Sequence, residues 1–328
     1  MRYVLVAGAL LLPAGGFAAE PIFAAGAKLE VAAGKGSAGE GPAWHPKLGV
    51  LTSGDGHIWQ LDPDGRSRIW RKNAGTNGLL FDARGRLVAC EPVQRRVTRT
   101  ELDGKVTVLT ERYDGMRYNQ PNDVTIDGKG RIYFSDPCYG DRSHLEMRDA
   151  GGQFVEGVYR IDPDGKVTRV LGRESVERPN GVLVSADDRY LYVADNNNSV
   201  VTGARKLWRF ALAADGSVDA KSRTLLYDWG KGRGPDGLKQ DMKGRLYVAG
   251  GLNKPNPPAE PATDVKGGIY VLDPTGKLLT FLPVPTDEVT NCAFGDADRQ
   301  TLYITGGGVL YRIRTTTPGR LVWPNRGR

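Results

Sequence analysis

Apolar residues along this chain come in short runs separated by Asp/Gly-type turns, and six pairs of runs open on a polar residue. The six are "EGPAWHPKLGVLTSGD" from Glu40, "NGLLFDARGRLVACE" from Asn77, "NDVTIDGKGRIYFSD" from Asn122, "NGVLVSADDRYLYVAD" from Asn180, "DGLKQDMKGRLYVAG" from Asp236 and "NCAFGDADRQTLYITG" from Asn291. Each reads as a β-hairpin with a polar residue at its entrance. A second strand–turn–strand pattern follows most of them, as in "IWQLDPDGRSRIW", "GVYRIDPDGKVTRVL" and "GIYVLDPTGKLLTFL". Four strands per unit and six units predict an all-β fold, a six-bladed β-propeller. The intervals between heads, about 37–58 residues, suit blades with variable loops. Two packed β-sandwiches would also use short, regular strands, but they do not account for a matched polar head in every unit. The segment "KLEVAAG" near the N-terminus is expected to complete the last blade and close the ring, which removes the open sheet edge.

Composition agrees with this reading. Among 328 residues there are 44 Gly and 20 Pro, a turn-rich balance that favours short strands. The formal charge of +7 is spread along the chain, and its densest internal group, "RRVTR" at 95–99, alternates as a solvated strand face does. Nucleic acid is therefore not an expected partner. The opening "MRYVLVAGALLLPAGGFAAEP" has one Arg, an apolar run and small residues. That is a signal-peptide pattern, too short for a comfortable membrane span. Residues 1–19 are expected to be removed on export to the periplasm or medium, leaving 20–328 as one catalytic domain, a monomer or weak homodimer without membrane attachment. Three cysteines, Cys90, Cys138 and Cys292, permit at most one disulfide, and spacing does not choose the pair.

In a propeller the first strand of every blade lines the central channel, so the six heads should converge on one end of the axis. Glu40, Asn77, Asn122, Asn180, Asp236 and Asn291 amount to two carboxylates and four amides, with no His or Cys. Oxygen donors of this kind suit Ca²⁺, with Mg²⁺, Mn²⁺ or Zn²⁺ as alternatives. Asn or Asp before Gly also makes simple Asx-turns, and for Asn77 and Asn291 the turn reading stands level with a functional one. Glu40 forms turns poorly, so it has little structural reason to hold its place. Metal ligation is expected for Glu40, Asn122, Asn180 and Asp236.

The motifs "EGPAWHP", "QPNDV" with "YFSDPCYG", "RPNGV" with "LYVADN", "GPDGL" and "TNCAFGD" together resemble the gluconolactonase branch of the regucalcin-like (senescence marker protein) propellers. The resemblance implies a metal-dependent lactonase in which Glu40, Asn180 and Asp236 hold a central divalent cation. It also implies that Asn122 contacts substrate or metal, and that Asp136 is an acidic position beside the pocket. Some animal relatives carry an Arg where this chain has Gln120, which leaves the natural lactone open. Asn122, Gln120 and Asn291 are the expected substrate contacts.

The expected reaction is hydrolysis of a sugar lactone, with the cation polarising the carbonyl and a carboxylate taking the proton of water. Asp236 is the first candidate for that base and Asp136 the second. Two other readings stay open: a non-catalytic exported propeller that binds a ligand or partner, and phosphotriester hydrolysis on the same site. No GxSxG elbow or dinucleotide fingerprint is present. His45 shares a motif with Glu40 and could support it or serve structure. The Pro- and Asn-rich stretch 250–268 follows the Asp236 hairpin and reads as a loop, with overhang of the pocket and a simple surface course both open.

Overall fold

The computed structural model describes residues 20–322, so the expected export segment 1–19 lies outside the described residues. Six four-stranded antiparallel sheets surround one axis. Blade 1 is Glu40–His45, Gly49–Gly54, His57–Leu61 and Ser67–Arg71. Blade 2 is Leu79–Phe81, Leu87–Glu91, Arg96–Thr100 and Val106–Thr110. Blade 3 is Val124–Ile126, Ile132–Asp136, Gly157–Ile161 and Val167–Leu171. Blade 4 is Pro179–Val184, Tyr190–Asn196, Arg205–Leu212 and Val218–Asp228. Blade 5 is Pro235–Gln240, Leu246–Gly250, Gly268–Leu272 and Leu278–Pro283. Blade 6 takes Val289–Gly295, Thr301–Gly306 and Gly308–Arg314 from the C-terminal end. Its fourth strand is Glu30–Ala38, which pairs with Gly308–Arg314 and closes the ring as the sequence predicts.

The second strand of each blade reads as a continuous apolar run because both faces of each sheet are covered by neighbouring blades. In blade 4, Leu191 and Val193 pack toward blade 3, while Tyr192 and Ala194 pack toward blade 5. In blade 5, Leu246 and Val248 face blade 4, and Tyr247 and Ala249 face blade 6. Strand periodicity is thus intact, but both of its phases are hydrophobic. The core is a set of apolar layers between blades, and the axis itself carries little of it.

An Asp-x-x-Gly unit recurs in the turns, between first and second strands at Asp82, Asp127 and Asp241 and between third and fourth strands at Asp62 and Asp273. The Oδ1 of Asp62, Asp82, Asp127, Asp241 and Asp273 each accepts the N–H groups two and four residues on. Glycine completes the turn because the chain there is left-handed, for example at Gly130 (φ 80°). Asp127 is fully committed: besides two backbone N–H groups, it accepts from Arg131 Nε and from the Tyr133 hydroxyl, and it is buried. Asp62 makes the same turn at the surface without these partners.

The three cysteines are free and buried in different parts of the fold, which settles the disulfide question that spacing left open.

Aspartates that make the same turn are therefore expected to differ in energetic weight. Asp127→Ala strands a buried guanidinium and should cost about 3–5 kcal/mol. Asp62→Ala should cost about 1 kcal/mol, the scale of ordinary hydrogen bonds. Chemical denaturation of the two variants beside the parent measures the difference, and equal losses would contradict this account.

Candidate functional site

The first strands of adjacent blades pack against one another all the way round, so the six heads meet in a ring at one end of the channel. Contact from spoke to spoke is at backbone distance. A Cβ built on Gly41 would lie 2.0 Å from Asn77 O, one on Gly78 would lie 2.6 Å from Asn122 O, and one on Gly181 would lie 2.1 Å from Asp236 O. A Cβ on Gly237 would strike the Asn291 amide at 2.0 Å. The residue after the head is therefore glycine in four blades because the next spoke occupies the side-chain volume. Blade 3 has Asp123 there instead, and its carboxylate reaches blade 4 by accepting the Val182 N–H at 3.2 Å. Ser135 joins the same two blades, accepting from Asp123 N and donating to Asn180 O.

The side chains of this ring leave oxygens unused. Asn77 Oδ1, Asn122 Oδ1, Asn180 Oδ1 and Asp236 Oδ1 are all buried and have no hydrogen-bond partner. Buried polar atoms without partners are costly and rare, and four matched ones in one ring call for a ligand that accepts lone pairs. Glu40 completes the set: its Oε2 accepts Gly41 N at 3.0 Å and Asn291 Nδ2 at 3.4 Å. Two carboxylates and several amide oxygens form a hard, all-oxygen donor set that fits Ca²⁺, or Mn²⁺ and Mg²⁺ with fewer protein ligands. Among the described residues no three His, Cys, Asp or Glu side chains cluster, so a zinc site of the usual imidazole or thiolate kind is a poorer match.

The electrostatics point the same way. Burial, then the charge of Asp123, pushes the Glu40 carboxyl up to about 8, against the lowering pull of Gly41 N–H, Asn291 and Lys239. Burial, then the Glu40 charge, holds Asp236 well above the usual carboxylate range. Two buried carboxylates, one of which raises the other, are stabilised as anions by a positive charge between them.

Other expected site residues take different places. Asp136 is fully buried, and its two oxygens accept Asn119 N at 2.8 Å and Gln120 N at 2.9 Å. Asp195, at the matching position of blade 4, accepts the N–H groups of Glu177 and Arg178 just ahead of Asn180. The two aspartates do one job in two blades, holding the loop that delivers an asparagine head. Gln120 turns its Oε1 to the Tyr139 N–H at 2.8 Å. Asn291 has its Oδ1 taken by Cys292 N and Lys239 Nζ, so its amino group faces Glu40. Its side chain therefore orients Glu40 within the ring.

Sequence reasoning missed Tyr139, Asp123 and Lys239, none of which recurs at its blade position. His45 lies at the far end, where Nδ1 accepts the N–H groups of Lys47 and Leu48 and the ring packs on Phe81. The 250–268 loop joins the second and third strands of blade 5 on the head side. It is pinned there by Arg205, which donates to Ala259 O, and by the Arg233–Glu260 ion pair. At the opposite end the channel turns apolar through Ala43, Leu80, Val124 and Val182, with Leu321 and Val322 closing it. The cavity there is about 50 Å³, room for a water or two and not for a sugar-sized ligand.

Residues 38–308 match the family model described as the SMP-30/Gluconolactonase/LRE-like region. A gluconolactonase of Zymomonas mobilis is 29% identical over 84% of this chain and 72% of its own length. A 6-deoxy-6-sulfogluconolactonase of Pseudomonas putida is 28% identical over 86% of this chain and 92% of its own. Among solved structures, a gluconolactonase of Xanthomonas campestris superposes with a TM-score of 0.73 at 29% identity, covering 90% of this chain and 94% of that one.

A raised carboxyl favours folding while protonated and loses that contribution as pH rises from the unfolded value toward the folded one. In chelator, thermal stability is therefore expected to fall from about pH 5 to about pH 8, the window set by Glu40. Glu40→Gln should flatten part of that slope, and an unchanged pH profile in this variant would contradict the burial of the charge.

Proposed function

The chain belongs to the SMP-30/gluconolactonase/LRE-like family, and on that premise we propose that it hydrolyses a sugar lactone of the gluconolactone type to the aldonic acid. The observation that carries the reading is the ring of unpartnered buried oxygens, Asn122 Oδ1, Asn180 Oδ1 and Asp236 Oδ1, beside Glu40. Glu40, Asn180, Asp236 and Asn122 would hold a divalent cation, with Ca²⁺ the best match to their chemistry. When bound, such a cation supplies Lewis-acid polarisation of an ester carbonyl.

The chain's own residues do the remainder. Asn122 binds the substrate, either accepting from a ring hydroxyl through Oδ1 or donating to the lactone carbonyl through Nδ2. Asp236 takes a proton from the attacking water through the carboxylate oxygen not committed to the cation, as the water oxygen bonds to the carbonyl carbon. The proton then returns to the ring oxygen as the C–O ester bond breaks, so the products are a carboxylic acid and a hydroxyl group. A carboxylate whose basicity is raised by burial takes a proton from water more readily than a solvated one does. Asp136 is less suited, because both of its oxygens already accept backbone N–H groups. The pinned 250–268 loop supplies a wall on the head side, and exclusion of water there strengthens each polar contact.

The direct test is pH-stat hydrolysis of a panel of small lactones and phosphotriesters, with and without chelator and added Ca²⁺ or Mn²⁺. Lactone turnover that chelator abolishes and either cation restores is expected. Asp236→Asn should lower kcat by about 10²–10⁴-fold, and Glu40→Gln should lose bound cation along with activity. Near-normal lactone turnover and metal content in both variants would sink the mechanism. Phosphotriester cleavage without lactone cleavage would replace the substrate class.

A further inference from the structure

An asparagine amide offers two chemically opposite ends, and only its oxygen can face a cation. At Asn180 the choice is made by a neighbour. The Tyr139 hydroxyl accepts a hydrogen bond from Asn180 Nδ2 at 3.0 Å and donates its own proton to Asn196 O at 3.3 Å. Because the Asn196 carbonyl claims the hydroxyl proton, the side of the phenol facing Asn180 carries lone pairs. An amino group fits against it, and an amide oxygen would be repelled. Asn180 Oδ1 is thereby left unpartnered and turned toward the ring.

The tyrosine is itself placed by a chain of hydrogen bonds running back into blade 3. Asp136 Oδ1 accepts the Gln120 N–H, and Gln120 Oε1 accepts the Tyr139 N–H at 2.8 Å. From the other side, the Arg178 guanidinium lies 5.3 Å from the Tyr139 ring centroid and is anchored to Glu156 at 3.0 Å. Two motifs that are distant in sequence, 117–141 and 178–196, are thus tied to each other through one phenol.

We propose that Tyr139 is a positioning residue for the cation site, acting through its hydroxyl to turn the Asn180 amide oxygen toward the ion. The inference rests on the cation reading above. It also gives Asp136 and Gln120 a shared task, since both act on the ion through Tyr139. The partners of a metal ligand are commonly worth 10–100-fold in affinity.

The test is calorimetric titration of the full chain with Ca²⁺ and with Mn²⁺, alongside melting curves in chelator. Tyr139→Phe keeps the ring and its packing under Arg178 and removes only the hydroxyl. It should bind both cations about 10–100-fold more weakly, while its melting temperature in chelator stays close to that of the parent. A carboxylate has two equivalent oxygens and needs no such turning, so in an Asn180→Asp background the same Tyr139→Phe change should cost less than about 3-fold. Equal losses in the two backgrounds would mean that the hydroxyl acts generally on structure, and would overturn the positioning role. So would unchanged cation affinity in Tyr139→Phe alone. If the parent chain binds neither cation, the cation reading fails first and the positioning role fails with it.

Discussion

Everything at the head end depends on how closely six strands can approach one axis. The spokes touch through backbone, with Gly41, Gly78, Gly181 and Gly237 each leaving room for the next head. This spacing is what lets single side chains from different blades share one small volume. A methyl group at any of these glycines would push against a neighbouring carbonyl or amide. The interblade cores, made of both faces of the second strands, hold the blades at that distance and carry the bulk of the apolar burial.

Within that volume the polar groups fall into two kinds. Some are satisfied by protein: Asp136 and Asp195 by backbone N–H groups, Asn291 by Lys239 and Cys292, Gln120 by Tyr139. Others are left with free oxygens in a buried setting, at Asn77, Asn122, Asn180 and Asp236. The first kind orients the second. Asn291 directs its amino group at Glu40, and Tyr139 does the corresponding service for Asn180. A binding site arranged in this way is preorganised, because the supporting hydrogen bonds are complete before any ligand arrives.

The repeat also separates stability from chemistry along the axis. Asp-x-x-Gly turns and their Arg partners occupy the far end, where Asp127, Arg131 and Tyr133 form a buried network. The head end keeps two buried carboxylates, Glu40 and Asp236, with the Glu40 charge raising Asp236. One hairpin, from Asn122 to Asp136, serves both ends: its turn stabilises, and its entrance carries the asparagine head.

The blade count, the closing role of the N-terminal strand and the ring of heads were legible in the sequence. They follow from local rules, strand alternation and turn chemistry, repeated six times in one chain, and repetition averages out the ambiguity of any single stretch. Glu40 stood out for the same reason, as a residue with no local excuse for its place. What Asp136, Gln120 and Asn291 do was decided only by tertiary structure. A carboxylate or amide reads identically in sequence whether its lone pairs face a ligand or a backbone N–H, and that outcome depends on chain segments tens or hundreds of residues away. Tyr139 was invisible for a related reason: its hydroxyl meets Asn180 only because blades 3 and 4 stand side by side, and no periodicity within one blade encodes a contact between two.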